Sequence, residues 1–506
     1  MNSSNTLIAK NALFLYFRML FTVFVGLYTS RVILRVLGVE GFGIYNVVGG
    51  IVMMFSFLNA GMVASSQRFI SYELGKNDIK SLRKVFSMSV SIHIFLALLI
   101  LLLAETVGLW FLNVKLNIAS ECMYAANWVY QCSILTFMLT VISVPYNACI
   151  VAHEHMKAYS YISIMEVFLK LLAVIILPLS SWDKLIVYSS LILLIAFIIR
   201  LAYGVYCRYN FIECKYQCIK DKSLFVEMFS FAGWSFIGNL GFSVKDQGIN
   251  ILINLFFGVA MNTARGIAYQ VSSVISGFVA NFQMALNPQI IKRYASGEIE
   301  SMILLVFRGA KYSLFLLMVM VVPFYIRAPY VLQLWLGNVP EYTVTFLRLT
   351  LIMAMVDSMA GPLVTAMQAT GRIRIFQLVI SVIMLANLPL SYFFLSLGCK
   401  PYVVMYVAIA TSLVGLISRL CILKTLISSF NFFEFIKDIL LRNIAVCILS
   451  ISLPVFFSSC FNDDLIGLLI VCFCSVLYSL FVVYFVGLKK VERVALIKKV
   501  KLILKK

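Results

Sequence analysis

What this sequence has little of is charge. Only 12% of its 506 residues are charged, and just 21 of them are acidic. A soluble domain carries about 25% charged residues, so a soluble protein is excluded. Hydrophobic residues make up 62% of the chain and form recurrent runs of about 20 residues, the length of a membrane-spanning helix. The short alternating segments of a transmembrane β-barrel are absent. The sequence predicts an all-α polytopic membrane protein.

Motifs for catalysis and metal binding are also lacking. There is no Walker motif and no nucleophile constellation, so neither an enzyme nor a cofactor is expected. The twelve cysteines are scattered, and Cys214 and Cys218 lie in a loop without a neighbouring histidine. We interpret them as packing residues. The sequence HEH at 153–155 is too short to indicate a metal site, and none is predicted.

The excess of basic residues follows the membrane. Lysine and arginine concentrate in alternate loops, which by the positive-inside rule predicts that both termini are cytoplasmic. The N-terminus lacks the cleavage pattern of a signal peptide and is interpreted as the first span. The final segment, 488–506, is a basic amphipathic tail suited to an anionic lipid surface. Membrane lipids are therefore expected partners, and nucleic acid is not.

The apolar runs number about fourteen, and two pairs of segments suggest an internal repeat. Residues 37–51 resemble 257–271, and residues 69–78 resemble 291–300. We predict two six-helix bundles related by a pseudo-two-fold axis along the membrane normal, followed by two C-terminal helices. The predicted parts are an N-terminal bundle (1–207), a cytoplasmic linker (208–230), a C-terminal bundle (231–424), two additional helices (425–487) and a basic cytoplasmic tail (488–506).

Some basic residues fall inside the predicted spans, where each charge costs roughly 2.5–3.5 kcal/mol unless it faces protein or water. Such residues suggest a polar interior and an anionic substrate. They are Arg18, Arg31, Arg68, Lys170, Arg200, Lys245, Arg265, Arg348 and Arg419. Three of these, Arg68, Arg200 and Arg419, lie near span ends and are expected to snorkel to the interface.

The predicted substrate cavity is cationic. Its candidate residues are Arg18, Arg31, Lys245, Asn250 and Arg265. Lys245 lies in the most polar predicted span, 231–257, where either a substrate cavity or an internal Lys–Asp pair is compatible with the sequence. Arg31 lies one turn from Arg35, so the two can either clamp a phosphate or snorkel.

Three acidic residues inside predicted spans are candidates for ion coupling. They are Asp246, Asp357 and Glu166. Glu166 is also placed to pair with Lys170 one helical turn away. Asp357 is equally compatible with a role as the counter-ion of a buried base.

The stretches SRVILRVLGVEGFGIYNVVGGI and SSQRFISYELGKND, together with the span count, carry a family resemblance. The chain resembles the polysaccharide (O-antigen-type) flippases of the multidrug/oligosaccharidyl-lipid/polysaccharide exporter (MOP) superfamily, which have a MATE-like fold. The resemblance implies a bacterial inner-membrane transporter that works by alternating access through a cationic cavity. Its implied cargo is an undecaprenyl-diphosphate-linked oligosaccharide for lipopolysaccharide O-antigen, capsule or exopolysaccharide. Polysaccharide polymerase and assembly proteins are implied as partners.

Other functions stay open at this stage. A MATE-type drug/cation antiporter shares the fold but would favour acidic cavity residues, and a lipid II flippase is chemically close to the first hypothesis. A membrane glycosyltransferase or polymerase would need a larger external loop than 328–342.

Overall fold

The computed structural model describes residues 2–53, 56–114, 120–458, 460–462, 464–490 and 492–494, and this part of the chain contains helices and no strand. Its α-helices are α1 (Asn2–Met53), α2 (Ser56–Lys76), α3 (Ile79–Leu103), α4 (Leu109–Val114), α5 (Met123–Ala152), α6 (Met156–Ile176), α7 (Lys184–Asn210), α8 (Lys222–Phe257), α9 (Val259–Ala295), α10 (Ile299–Ile326), α11 (Ala328–Leu336), α12 (Thr343–Ser358), α13 (Ala360–Thr370), α14 (Arg374–Leu385), α15 (Asn387–Ser396), α16 (Val403–Leu426), α17 (Phe432–Phe435), α18 (Arg442–Ser458) and α19 (Leu465–Val482). Most of the predicted tail, 488–506, lies outside the described residues.

Eleven helical segments of the described chain are long and apolar enough to cross a membrane. The all-α polytopic class is therefore confirmed, whereas the predicted count of fourteen spans is not. Three further long helices, α2, α8 and α9, fall below this threshold because they carry many polar side chains. Two of them, α8 and α9, contain Lys245 and Arg265, so the polarity that suggests a site also weakens the membrane signal.

The helices repeat along the chain with a nearly constant spacing. The helix α1 is broken at Gly38, whose φ is 72° and ψ 176°. The break between α8 and α9 falls at Gly258, which has φ 79° and lies 220 positions later. The helix pairs α1/α8, α3/α10 and α5/α12 begin 220 positions apart, and α6/α14 and α7/α16 begin 218 and 219 apart. One backbone plan therefore occurs twice in the same direction.

The turn after the second span also repeats, and it corrects the sequence alignment. Asn77 has φ 57° and its amide donates to the carbonyl three residues earlier, as does the amide of Gly297 with φ 80°. The next amide in each turn donates five residues back. These turns lie 220 positions apart, so the alignment of 69–78 with 291–300 was shifted by two residues. The sequence comparison is displaced because it matches Gly75 with Gly297, whereas the residue structurally equivalent to Gly297 is Asn77.

Contacts divide the chain into two units. Unit 1 comprises Met1–Leu240 and Met284–Glu298, and unit 2 comprises Gly241–Gln283 and Ile299–Lys506. Both α8 and α9 contribute to each unit. The division into bundles proposed from the sequence stays a prediction.

In unit 1, the core lies where α5 packs against α3 and α7. Tyr130 is fully buried there, and its hydroxyl donates to the Ala104 carbonyl at 2.7 Å. The turn between α5 and α6 holds the end of α9 through Glu154, which is buried and has φ 62°. Its carboxylate accepts hydrogen bonds from Lys292 at 2.6 Å and Gln289 at 2.5 Å. This ion pair compensates the desolvation of Glu154.

In unit 2, α10 packs against α12 and α19. Lys311 of α10 is only 2% exposed, and its ammonium donates to both carboxylate oxygens of Glu492 at 2.7 and 2.6 Å. Burial alone would raise the pKa of the Glu492 carboxyl, but hydrogen bonds from Lys311 and the Lys489 amide lower it. The segment after α19 is thus fastened to α10 by an ion pair that the sequence did not reveal.

Substituting Gly258 by alanine should destabilise the fold, because a side chain in the left-handed region costs roughly 1–2 kcal/mol. No atom lies within 4 Å of the position a Cβ would take there, so the effect is conformational and not steric. The helical Gly266, which also has open space, is the matched control. Gly266→Ala should be neutral or stabilising by about 0.5–1 kcal/mol. Thermal unfolding of the purified proteins in detergent measures the stability of both variants. Equal unfolding midpoints would contradict the conclusion that Gly258 is needed for its left-handed backbone conformation.

Candidate functional site

Unit 1 contains a cavity of about 530 Å³ between α1, α5, α6 and α7. Arg18 of α1 lines it, with its guanidinium 4.8 Å from the ring centre of Tyr159. Glu166 and Lys170 of α6 line it as well and form an ion pair at 2.6 Å. The helical spacing of four residues brings these two side chains onto one face, as predicted. Because one positive charge is cancelled by Glu166, the charged groups of the cavity sum to a net positive charge.

A row of polar side chains on α5 also lines this cavity, and sequence analysis missed it. The residues Thr140, Ser143 and Asn147 occur three and four positions apart, which places them on one face of the helix. The hydroxyls of Thr140 and Ser143 donate to backbone carbonyls one turn earlier, so their lone pairs stay available as acceptors. The signal was present as a periodic polar stripe in an apolar span.

Arg31 is exposed in the structure, as is Arg35 one turn later. Neither belongs to the lining of the unit 1 cavity. The structure therefore separates Arg31 from Arg18, the other arginine predicted to contact substrate on α1.

In unit 2, three of the predicted residues meet around one guanidinium. Arg265 of α9 is 3% exposed and donates to Asp246 of α8 at 2.5 Å and to the side-chain oxygen of Asn250. Its guanidinium also lies 4.3 Å from the ring centre of Tyr269. Asp246 and Asn250 lie four residues apart, so both reach Arg265 from one face of α8. The ion pair neutralises Arg265, which reduces its capacity to bind an anion.

Lys245 is buried with 7% of its surface exposed. Its ammonium lies 4.7 Å from the ring centre of Phe242. The acidic groups that act on it are Asp357 and Asp246, at Coulombic range. None of the ion pairs among the described residues includes Lys245. This lysine is therefore a buried cation without a carboxylate in direct contact.

Asp357 lines a second cavity, of about 290 Å³, in unit 2. Its carboxylate accepts a hydrogen bond from Ser412 and faces the charges of Lys245 and Arg419. Gln283, which sequence analysis missed, lines the same cavity and donates to the Ser313 hydroxyl at 3.0 Å. Serines complete the polar lining, namely Ser272, Ser273, Ser276 and Ser358.

Two arginines that were expected to snorkel are buried instead. Arg68 is 6% exposed, and its guanidinium lies 4.4 Å and 4.6 Å from the ring centres of Phe69 and Tyr72. Arg419 is 7% exposed and faces Asp357. A flat guanidinium can be stabilised by aromatic rings or a carboxylate inside the protein, so an arginine at a span end need not reach the interface.

Comparison with known proteins identifies the family. The family described as "Polysaccharide biosynthesis protein" matches residues 8–293, more than half of the chain. The chain belongs to this family. No curated protein matches the sequence.

Solved structures show the fold. A MATE transporter in the bent conformation has a TM-score of 0.71 and 13% identity, over 84% of this chain and 96% of the other. An outward-facing multidrug resistance MATE transporter of the MOP superfamily has the same score, identity and coverage. A MOP superfamily transporter from Pyrococcus furiosus, described as having a binding pocket of reverse polarity, has a TM-score of 0.63 at 14% identity, over 83% of this chain and 96% of the other. At these identities the likeness establishes the fold alone.

The expected resemblance is confirmed at this level: the chain is a member of the polysaccharide biosynthesis family and has the fold of MATE transporters. The protein is a multi-pass membrane protein of polysaccharide biosynthesis.

The Asp246–Arg265 and Glu166–Lys170 ion pairs should contribute unequally to the stability of the protein. Asp246→Asn leaves the buried Arg265 charge without its counter-ion, which in buried pairs costs about 3–5 kcal/mol. Because Asp246 is partly exposed and an asparagine there can still accept a hydrogen bond from Arg265, we expect a loss in the free energy of unfolding of about 3 kcal/mol or less. Glu166→Gln breaks a pair whose side chains are 36% and 45% exposed, worth about 0–1 kcal/mol. Thermal unfolding in detergent should show a clearly larger loss for Asp246→Asn, and the reverse order would refute the assignment.

Proposed function

We propose that this transporter is a flippase for an undecaprenyl-diphosphate-linked oligosaccharide, such as an O-antigen, capsule or exopolysaccharide repeat unit. The observation that carries the proposal is Lys245, a buried ammonium for which the described residues supply no contacting carboxylate, in a chain of the polysaccharide biosynthesis family. A buried lysine of this kind is costly unless something anionic reaches it. The diphosphate of a lipid-linked sugar supplies that charge.

The unit 1 cavity supports the same substrate class. Arg18 contributes a planar guanidinium suited to phosphate oxygens. The polar row of Thr140, Ser143 and Asn147 offers hydroxyl and amide groups of the kind that bond sugar hydroxyls. Arg265 and Asn250 are bonded to one another, so we assign them to positioning α8 against α9 and not to gripping phosphate. Arg31, exposed on α1, is left as a candidate for first contact with substrate.

We further propose the bacterial inner membrane, with both termini cytoplasmic, as the setting. The concentration of lysine and arginine in alternate loops supports this orientation. Movement of the lipid-linked sugar from the cytoplasmic to the outer leaflet would follow alternating access. Polysaccharide polymerase and assembly proteins would receive it.

One observation favours cation coupling, the feature of the antiporter alternative. Two of the three candidate carboxylates are paired, Asp246 with Arg265 and Glu166 with Lys170. Asp357 is exposed to a cavity lined by serine and glutamine side chains. Their oxygen atoms are of the kind that bind a proton or coordinate a small hard cation. We therefore infer that Asp357 is the coupling group, and that coupling serves the flipping of an anionic lipid.

Replacing Lys245 by methionine should abolish transport, because the charge is removed while the length and apolar stem are kept. In a deletion strain, wild-type protein should restore surface polysaccharide, and Lys245→Met should leave lipid-linked repeat units at the inner leaflet. Immunoblotting of membranes checks that both proteins are present at equal levels.

Lys84→Met is the matched control, since Lys84 is an exposed lysine on α3. It should complement like wild type. Full complementation by Lys245→Met would contradict the role of Lys245. Intact surface polysaccharide in the deletion strain itself, with raised sensitivity to cationic dyes, would favour a drug antiporter. Loss of peptidoglycan synthesis with accumulated lipid II would favour a lipid II flippase.

Asp357→Asn should uncouple transport from the ion gradient. In proteoliposomes, wild-type flipping should accelerate when an inward proton or sodium gradient is imposed. The variant should flip at the same rate with and without either gradient. Glu166→Gln, which alters a carboxylate already paired with lysine, is the control and should keep the gradient response. A gradient response retained by Asp357→Asn would exclude Asp357 as the coupling group.

A further inference from the structure

Sulfur, imidazole and carboxylate groups gather at one end of unit 1, outside both cavities. Cys149 lies in the last turn of α5. His153 comes four residues after Cys149 and is the first residue beyond the helix. Glu213 and Cys214 belong to a short 3-10 turn, Ile212–Cys214, that follows α7. Two chain segments separated by about sixty residues therefore converge at one point. This arrangement contradicts the interpretation of Cys214 as a loop cysteine without a histidine partner.

The donor atoms of this cluster are close to one another. The ligand atoms of Cys149, His153 and Glu213 all lie within 4.8 Å of each other. The Cys149 sulfur lies 3.4 Å from a Glu213 oxygen and 3.5 Å from the Cys214 sulfur. The same Glu213 oxygen lies 2.5 Å from Nε2 of His153. Donors bound to one tetrahedral zinc ion are separated by roughly 3.3–3.8 Å, given metal–ligand distances of about 2.0–2.3 Å. The separations of the Cys149 sulfur from Glu213 and from Cys214 already lie in this range. The His153–Glu213 contact would open by about 1 Å, and Cys214, which is outside the group within 4.8 Å, would move closer to complete the set.

Burial leaves little water to screen the charges of this cluster. Cys149, Glu213 and Cys214 are 0%, 4% and 6% exposed. A buried carboxylate beside two thiols needs positive charge, and among the described residues His153 is the only basic group in contact with Glu213. The His153 ring is stacked on Phe211 at 4.2 Å between centres, which fixes the direction of its Nε2. These are the features of a preorganised ligand set.

We propose that Cys149, His153, Glu213 and Cys214 form a binding site for a zinc-class divalent cation. Two sulfurs, one imidazole nitrogen and one carboxylate oxygen make a four-ligand set that tetrahedral zinc accepts, whereas magnesium and calcium require oxygen ligands. Cys207, whose thiol lies within hydrogen-bonding distance of Cys214 and of the Tyr146 carbonyl, supports the site from the next layer.

The site has a mechanical consequence for unit 1. The 3-10 turn Ile212–Cys214 begins the connection from α7 to α8. This connection also contacts α3, where Arg83 donates to the Ile212 carbonyl and the Gln217 amide donates to Ser87. A metal ion would fasten this connection to the end of α5. The metal would therefore anchor the start of the connection that leads to α8, the helix that contains Lys245.

Metal binding by the full-length protein tests the site. Protein purified in detergent under reducing conditions is stripped with a chelator, reloaded with zinc, desalted and assayed for metal per chain. Wild type should retain one zinc per chain, and the double variant Cys149→Ser/Cys214→Ser should retain none. Cys218→Ser is the matched control, because Cys218 is an exposed cysteine in the same connection, and it should bind like wild type.

Cobalt substitution identifies the ligands. Reloading with Co²⁺ should give the visible bands of a tetrahedral complex and a sulfur-to-cobalt charge-transfer band in the near ultraviolet. His153→Gln keeps both sulfurs and guards against loss of fold in the double variant, and it should weaken binding without removing the charge-transfer band. Cys207→Ser should weaken binding about 10–100-fold, as expected for a supporting residue.

Two outcomes would overturn the proposal. One is wild-type protein that retains no more zinc than the double variant. The other is a cobalt spectrum without sulfur charge transfer. If the reduced wild-type protein takes up no metal but forms a Cys149–Cys214 disulfide on oxidation, the cluster is a thiol pair and the metal site is refuted.

Discussion

The structure depends on one constraint, which is the cost of placing charge in a medium of low dielectric constant. Each basic residue that enters this interior is stabilised in a distinct way. Arg68 is stacked between aromatic rings. Arg265 and Lys311 are paired with carboxylates, and Arg18 opens onto a cavity. Lys245 lies against the Phe242 ring but forms no ion pair among the described residues, and for this reason we propose that it contacts the anionic substrate.

The all-α membrane class of the fold was predictable because it depends on local patterns. Apolar runs of membrane length specify the helices, and the glycines at 38 and 258 specify where two of them break. Partners within one turn, such as Glu166 and Lys170, follow from helical spacing alone. Partners across the chain do not. Lys311 pairs with Glu492, 181 positions away, and Glu154 with Lys292, 138 positions away. No periodicity encodes those choices, since tertiary packing makes them.

The cysteine cluster also depends on tertiary packing that no sequence pattern encodes. Cys149 and His153 lie four apart, which is a one-turn spacing visible in the sequence. Glu213 and Cys214 lie across α6 and α7, and their approach depends on how those helices return to the end of α5. A zinc motif is recognisable in sequence when its ligands occur in close pairs on both sides. Here one pair is a helical turn and the other a Glu–Cys dipeptide, so no familiar spacing arises.

The repeat in the backbone is not matched by a repeat in charge. At a separation of 220 positions, Lys245 corresponds to Val25, Arg265 to Tyr45 and Asp357 to Phe137, while Arg18 corresponds to Gly238. The two copies therefore keep the same helix breaks and turns but differ in every candidate functional residue. The cavity of unit 1 has a net positive lining, whereas that of unit 2 presents a carboxylate among serines. Because a shared scaffold needs only the glycines and turns, the side chains of each copy were free to diverge. Lys245 and Asp357 both lie in unit 2, so the proposed anion-binding and coupling groups are concentrated in the second copy, whereas the first copy contributes Arg18 and the polar row on α5.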